Sequence, residues 1–370
     1  MWECSGVERV LPSYDGACLS NLTPALLGTT NQWPEWIPDI ARDASQVVLL
    51  VVDALGWEQL GERPRVAPTL SQMEGGAITS VVPTTTAAAL TSISTGCAPG
   101  EHGVVGYRIN VQGETLNSLR WTTGSGDARK SIDPAEFQPC SVFDDQGPPV
   151  ITKGEFARTG FTTAHLRTGR FVGYRTFSGI AVEIERELRA GEPFVYAYYD
   201  GIDRIAHEFG FGKHYDAELR LVDRLIDDVL NILPRGAVLL VTADHGQVDC
   251  TGSSTELPRE VNDRILRQSG EARFRWLHVR DGDAQHVAAM VRDALSEEAW
   301  VHTIDEVLAE GWFGPTVAPA SLERLGDVAV VAKGNHVFVD QKDNVPITLK
   351  GRHGSFTPAE MYVPLLAGWR

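Results

Sequence analysis

Three uninterrupted apolar runs in this chain each end in an aspartate. Val47–Val52 leads into Asp53, Pro193–Tyr199 into Asp200-Gly201-Ile202-Asp203, and Val238–Ala243 into Asp244-His245-Gly246. Strands that are apolar at every position, rather than at alternate ones, are buried on both faces. That requires a mainly parallel sheet covered by helices on each side. Ligands of such open sheets sit beyond the carboxyl ends of the strands, so three aspartates delivered to one rim are the first candidates for function. Asp216–Leu233 carries apolar residues at helical spacing, opens on an acidic turn and stops before Pro234. Ile180–Arg189 reads as a second helix. The expected fold class is α/β, a mainly parallel sheet sandwiched by helices.

The texture changes after Ser253. Arg273–Arg280 is strand-like, Ala284–Leu295 and Thr303–Glu310 are helix-like, and Val328–Val331 is again strand-like. We assign residues 254–333 to a small α/β insert forming a cap, and 1–253 with 334–370 to the catalytic core. A chain of 370 residues accommodates both. The stretch from Gly106 to Val150 also interrupts the pattern, and its Trp121 is a candidate for a substrate groove. Lys and Arg number 33 against 49 Asp and Glu, a net charge of −16. An acidic chain repels polyanions, which argues against a nucleic-acid polymer as partner. A small phosphorylated substrate remains compatible where metal ions supply local positive charge. Cys4, Cys18, Cys97, Cys140 and Cys250 form no C-x-x-C pair, so neither a zinc knuckle nor a disulfide framework is indicated. No signal peptide is evident at the N-terminus, and the apolar run Val47–Val52 is too short for a bilayer. A cytoplasmic location without a membrane partner is the expectation.

Several short motifs carry chemistry. Asp203 and His207 lie four apart, on one face of any helix that starts after Gly201; alone, such a pair is more often a solvated helix face. Asp244-His245 stands at a strand end, where a capping turn is the plain alternative. His353 sits in Gly351-Arg352-His353-Gly354, which on its own is an ordinary loop. In Val82-Pro83-Thr84-Thr85-Thr86-Ala87-Ala88-Ala89 a threonine opens a short helix closed by Gly96. It is either a simple cap or a hydroxyl nucleophile at an anion-friendly helix start. Together the motifs offer three carboxylates and three imidazoles, enough to give two divalent cations three protein ligands each. Oxygen and nitrogen donors without thiolate suit Zn²⁺ first and Mn²⁺ as the alternative.

In this order the motifs resemble the alkaline phosphatase superfamily, and most closely its nucleotide pyrophosphatase/phosphodiesterase branch. The resemblance rests on Asp53, Pro83-Thr84-Thr85-Thr86, Thr95-Gly96-Cys97-Ala98-Pro99-Gly100-Glu101-His102-Gly103, Asp203 with His207, Asp244-His245-Gly246 and His353-Gly354. It implies Thr86 as the nucleophile, with Thr84 and Thr85 as fallbacks. It implies one cation on Asp53, Asp244, His245 and Thr86, and another on Asp203, His207 and His353. His102 reads as structural, and Asp200 as either a ligand in place of Asp203 or its support. Two features depart from the family. The asparagine usual three residues after the nucleophile is replaced by Ala89, and none stands in Val104–Arg108, just after the His102-Gly103 stretch. Phosphoryl contacts then fall to the Ala87 N–H and to Tyr107 or Arg108, with Arg167 and Arg170 behind them. Cys97-Ala98-Pro99-Gly100-Glu101 lacks the arginine of a sulfatase motif. The implied activity is two-metal hydrolysis of phosphate esters, foremost as a phosphodiesterase or nucleotide pyrophosphatase forming a covalent phospho-threonine. The implied partner is a small phosphorylated substrate, nucleotides included. A phosphomonoesterase or phosphonate hydrolase would keep the same ligands; a mutase and a non-catalytic metal-binding protein are more distant alternatives.

Overall fold

The first apolar run forms β1 (Gln46–Val52) in the computed structural model, which describes residues 8–28, 32–280, 282–340 and 348–370. Cys4 lies outside the described residues. After β1 come β2 (Glu74–Thr79), helix α1 (Thr86–Thr95), β3 (Pro149–Lys153), α2 (Gly160–Leu166), β4 (Arg170–Tyr174) and α3 (Gly179–Arg189). The second run, β5 (Phe194–Tyr199), leads into α4 (Gly201–Phe209) and α5 (Lys213–Ile232), and the third is β6 (Ala237–Thr242). Then follow β7 (Ile265–Glu271), β8 (Phe274–Val279), α6 (Ala284–Ala294), β9 (Ala299–Thr303) and β10 (Val328–Ala332), and finally α7 (Pro358–Met361) and β11 (Tyr362–Trp369).

Seven strands make the main sheet in the order β2-β11-β6-β1-β5-β3-β4. The pairs among β6, β1, β5, β3 and β4 are parallel, while β11 runs antiparallel to both β6 and β2. The mainly parallel, helix-covered α/β sheet is thus present, with an antiparallel margin. Val48 to Val52 are fully buried, as the unbroken apolar run requires. Helix α5 begins at Lys213, three residues before the periodic pattern. Tyr215 is fully buried there beneath the Arg63 guanidinium, 5.0 Å from its ring, a tertiary contact that extends the helix backwards. No helix among the described residues is long and apolar enough to cross a membrane.

Residues 265–332 build a separate antiparallel sheet, β7-β8-β10-β9, within the stretch read from the sequence as a cap. One face joins α6 in a separate apolar cluster that includes Leu277, Val287, Val291, Val330 and Phe338. A short parallel pair, Ser254–Glu256 with Val337–Val339, ties the segment's two ends, and Phe338 carries its cluster past residue 333. The opposite face, with Phe274, Trp276 and Val331, merges into the main core. Fully buried Arg273 fastens the two parts. Its Nε and Nη2 each donate to the Glu360 carboxylate at 2.7 Å, and Ser355 N–H donates to the same group. Removing one member of such a pair strands a buried charge, at a cost of about 3–5 kcal/mol. The Gly106–Val150 stretch holds a small four-stranded sheet beginning with Arg108–Val111. Trp121 is fully buried there, edge-on to Phe137, and so is a core residue rather than a groove wall.

Candidate metal centre

The register of the sheet assembles the inner half of the site. Val51 of β1 pairs with Thr242 of β6, and Val52 with Tyr199 of β5. One step further, Asp53 emerges beside Asp200 on one side and Asp244 on the other. Ala54 then turns the chain in a left-handed conformation (φ 62°), and its N–H donates to Asp244 Oδ1 at 3.0 Å. His245 Nε2 lies 3.6 Å from Asp53 Oδ1 and 3.5 Å from Asp244 Oδ2. All three residues are buried. Tyr198 OH donates to Asp53 Oδ2, but Asp53 Oδ1 and Asp244 Oδ2 have no hydrogen-bond partner among the described residues. Burial, followed by the charges of Asp244 and Asp203, pushes the Asp53 carboxyl well above the usual range; burial raises Asp244 as well. Two buried carboxylates with orphaned oxygens facing an imidazole are costly without a cation and well matched to one. The donor set therefore fits a divalent metal ion.

The outer half comes from α4 and the loop before α7. On α4 the four-residue spacing places His207 Nε2 3.1 Å from Asp203 Oδ1. His353 Nε2 is 3.8 Å from the same oxygen, and its ring stacks on His245 with centroids 3.7 Å apart. Asp203, His245 and His353 bring ligand atoms within 4.8 Å of one another, as do Asp53, Asp244 and His245. His245, expected only with Asp53 and Asp244, therefore borders both groups. His207 joins the outer one through Asp203 and lies 5.2 Å from the His353 ring. Backbone carbonyls set the tautomers. Nδ1 of His207, His245 and His353 meets the carbonyls of Gly351, Gly246 and Thr84 at 2.6, 3.0 and 2.8 Å. A carbonyl only accepts, so each Nδ1 carries a proton and each Nε2 is turned to the centre, where it can give its lone pair to a cation once it carries no proton of its own. Burial acts to raise the Asp203 carboxyl, but His207 and then His353 and His245 outweigh it and hold it low. Burial likewise opposes protonation of His207, and Asp203 more than offsets that, leaving the imidazole raised.

Asp200 is turned away from this group, toward Lys153 Nζ at 2.6 Å and Arg204 at 3.8 Å. The three threonines also separate. Thr84 Oγ1 donates to the Ser355 carbonyl and accepts from Gly354 N–H. Thr85 is the N-cap residue of α1, yet its hydroxyl bonds Glu271 and does not cap the helix. Thr86 Oγ1 alone of the three is placed at the centre, 3.2 Å from His245 Nε2. The first-turn N–H groups of α1, Ala87 among them, are left without a side-chain cap. Ala89 is fully buried. His102 is buried between Ser92 Oγ at 3.0 Å and the Val104 N–H at 3.1 Å, away from the ligand groups. Arg167 and Arg170 do not reach the site. Arg167 donates to the carbonyls of Ala164 and Cys140, and Arg170 pairs with Glu187 and Glu192. Four participants were not anticipated: Tyr198 on Asp53, Gln247 donating to Asp203, Glu271 on Thr85, and Arg275.

Two cavities open from the centre. One, of about 840 Å³, lies toward the cap and is walled by Tyr107, Arg108, Glu271, Arg275 and Arg352. The other, of about 590 Å³, lies toward α2 and is walled by Phe156, Phe161, Tyr196 and Tyr198. Thr86 and Asp203 line both.

The model of the type I phosphodiesterase / nucleotide pyrophosphatase family matches residues 47–178 and 182–356. The chain belongs to this family. It is accordingly a metal-dependent hydrolase of phosphate esters, of the alkaline phosphatase superfamily. Its fold is shared with murine ectonucleotide pyrophosphatase / phosphodiesterase 5, solved as an inactive form in complex with AMP, at a TM-score of 0.65 and 16% identity over 88% of each chain. Phosphonoacetate hydrolase from Sinorhizobium meliloti 1021, solved with phosphonoacetate, matches at a TM-score of 0.66 and 16% identity, covering 88% of this chain and 90% of that one. The human ectonucleotide pyrophosphatase / phosphodiesterase 5 gives a TM-score of 0.63 at 17% identity, again over 88% of each chain. No curated protein sequence matches the chain.

Proposed function

We propose that this family member cleaves phosphodiesters or pyrophosphates of small molecules, with Thr86 as the nucleophile. The observation that carries the reading is that Thr86 and Asp203 line both cavities. A monoester has one substituent to house. A diester or pyrophosphate has two, one on each side of the reacting phosphorus, and two cavities meeting at the hydroxyl suit that shape. Phe156, Phe161 and Tyr198 offer aromatic surface on the α2 side, where a flat group such as a nucleobase can stack. The AMP complex of the murine relative supports a nucleotide as the substituent. The phosphonoacetate complex supports phosphonate hydrolysis as the second reading.

Asp53, Asp244, His245 and Thr86 would hold one divalent cation, and Asp203, His207 and His353 the other. Zn²⁺ suits these donors first and Mn²⁺ next. Bound there, such ions acidify hydroxyl groups and neutralise charge at phosphoryl and departing oxygens. Thr86 gives up its hydroxyl proton to solvent and Oγ1 forms a bond to phosphorus while the bond to the departing oxygen breaks; that oxygen leaves with the electron pair and takes up a proton from solvent. Water then attacks the phospho-threonine and restores the Thr86 hydroxyl. The uncapped N–H of Ala87 donates to a phosphoryl oxygen at the positive end of α1. Tyr107 and Arg108, which line the same cavity as Thr86, take over the contact that Ala89 lacks.

The test is the initial rate on bis(p-nitrophenyl) phosphate and on p-nitrophenyl phosphate, for metal-loaded wild type and Thr86→Ala. Diester cleavage is expected to be the faster, and to fall by roughly 10⁴-fold in the variant with its metal content unchanged. Faster monoester cleavage would overturn the two-cavity argument. Turnover retained in Thr86→Ala would remove Thr86 from the nucleophile's role.

A further inference from the structure

The outer ligand group leans on one side chain that is not itself a ligand. Gln247 follows His245 by two residues and is buried, and its Nε2 donates to Asp203 Oδ1. A carboxylate only accepts, so the amide presents its nitrogen there. Three features fix Gln247 in turn. Its backbone carbonyl accepts from Gln59 Nε2, which also donates to the Ala359 carbonyl at 3.1 Å. The next two residues, Val248 and Asp249, pair antiparallel with Arg352 and Gly351, directly before His353. A Cβ on Gly351 would collide with Gln247 Oε1 and with the Ala206 carbonyl, so the glycine makes room for the amide. The Gly351 carbonyl meets His207 Nδ1 at 2.6 Å. Gln247 therefore stands where the three segments carrying Asp203, His207 and His353 meet.

His207 Nε2 lies on the same Asp203 oxygen at 3.1 Å, and His353 Nε2 is 3.8 Å from it. An imidazole nitrogen that gives its lone pair to a cation has no proton to donate. A cation on His207 and His353 thus removes both as donors to Asp203. Gln247 ligates nothing and keeps its N–H. Among the described residues it is the one non-ligand side chain hydrogen-bonded to Asp203. We propose that Gln247 is the positioning residue of the outer cation site, holding the Asp203 carboxylate in place while His207 and His353 turn to the cation. The proposal rests on the two-cation reading of the centre. Partners of this kind orient a ligand and raise its affinity without touching the metal.

Gln247→Met keeps the length of the side chain and removes the donor. Metal-stripped wild type and variant are titrated with Zn²⁺ by calorimetry, without substrate. In the variant one Zn²⁺ is expected to bind within about threefold of its wild-type affinity and the other to weaken about 10–100-fold. The weakened cation is expected to be the one that His207→Ala also loses. Turnover of bis(p-nitrophenyl) phosphate is expected to fall at limiting Zn²⁺ and to return to within about threefold of wild type at saturating Zn²⁺, a recovery that a damaged fold would not show. Gln247→Leu serves as the second variant should Gln247→Met fail to fold by circular dichroism. Two wild-type affinities in a folded variant, or both cations weakened alike, would overturn the proposal and leave the two-cation reading standing. Wild type that takes up a single Zn²⁺ would overturn that reading and the proposal with it.

Discussion

Two ligand groups lie within one site, each with three side chains, yet they are built in opposite ways. The inner group has two carboxylates and one imidazole at the strand ends, is fixed by sheet register, and leaves Asp53 Oδ1 and Asp244 Oδ2 without a hydrogen-bond partner among the described residues. The outer group has one carboxylate and two imidazoles on a helix and a loop. Its carboxylate is already served by His207 at 3.1 Å and by Gln247, and its members are partly exposed. The inner group is electrostatically incomplete without a cation. The outer one is a self-satisfied hydrogen-bonded set that a cation must open. Rigidity and burial thus belong to the half that anchors Thr86, and access belongs to the half that faces both cavities.

The strongest way to break this comparison is Asp53→Asn. In metal-free protein at about pH 8, the exchange removes a buried carboxylate whose folded-state pKa is raised, and so is expected to stabilise the fold by about 1–3 kcal/mol. In loaded protein it removes a ligand, destabilises, and cuts turnover by roughly 10³-fold or more. The pH sign follows from the raised pKa. Folded Asp53 holds its proton above the unfolded value, so metal-free wild type loses stability as pH rises from about 4 through that window. The asparagine variant lacks this part of the slope. Thermal unfolding with and without metal, across pH, checks both signs. A metal-free variant less stable than wild type would mean that Tyr198 satisfies Asp53 unaided, and the contrast between the groups would fall.

The sequence exposes the two groups unequally, for the same physical reason. Continuous apolar runs announce doubly buried strands, so Asp53 and Asp244 were legible as strand-end residues, and the four-residue spacing made Asp203 and His207 legible as a helical pair. Which threonine faces the centre was not legible from Thr84-Thr85-Thr86 alone. Ser355, Gly354 and Glu271 decide it, residues about 185 to 270 positions away in the chain whose placement depends on tertiary packing. Tyr198 reads as one more apolar strand residue until its hydroxyl is seen on Asp53. Glu271 and Arg275 lie in the insert, where nothing local marks β7 and β8 as reaching the site. Val328–Val331 reads as a strand from its sequence, but its partners do not: Val330 pairs with Arg275 of β8 and Val301 of β9.

A smaller effect sharpens the division. Chelator titration of the loaded enzyme is expected to proceed in two steps, the outer cation leaving first and taking activity with it. Loss of a metal ligand's supporting partner already costs roughly 10–100-fold in affinity, so His207→Ala is expected to exceed about 100-fold for the outer cation while sparing the inner. His245→Ala, bordering both groups, is expected to weaken both. Metal content of the dialysed variants, read by mass spectrometry, reports each step. If His207→Ala strips the two cations equally, the groups are not separable units.

The smallest expected effect is at Asp200, which tests where the outer group ends. Asp200 stands at the start of α4, level with Asp53 in the register, so proximity alone would allow it as a ligand. Its carboxylate is instead held by Lys153 Nζ at 2.6 Å, with Arg204 at 3.8 Å on the outer side. That pair is partly buried, with side-chain exposures of 19% for Lys153 and 12% for Asp200, so its loss falls between the surface and interior cases, about 1–2 kcal/mol. Asp200→Asn keeps the side-chain shape, and its Oδ1 can still accept from Lys153. Both cations are therefore expected to stay, with affinities within about threefold of wild type and turnover reduced by less than about tenfold. Because the amide preserves shape and the lysine contact, loss of one metal equivalent could not be blamed on collapse of the α4 start. It would make Asp200 a ligand, move the boundary of the outer group one turn toward β5, and leave that group with two carboxylates like its buried neighbour.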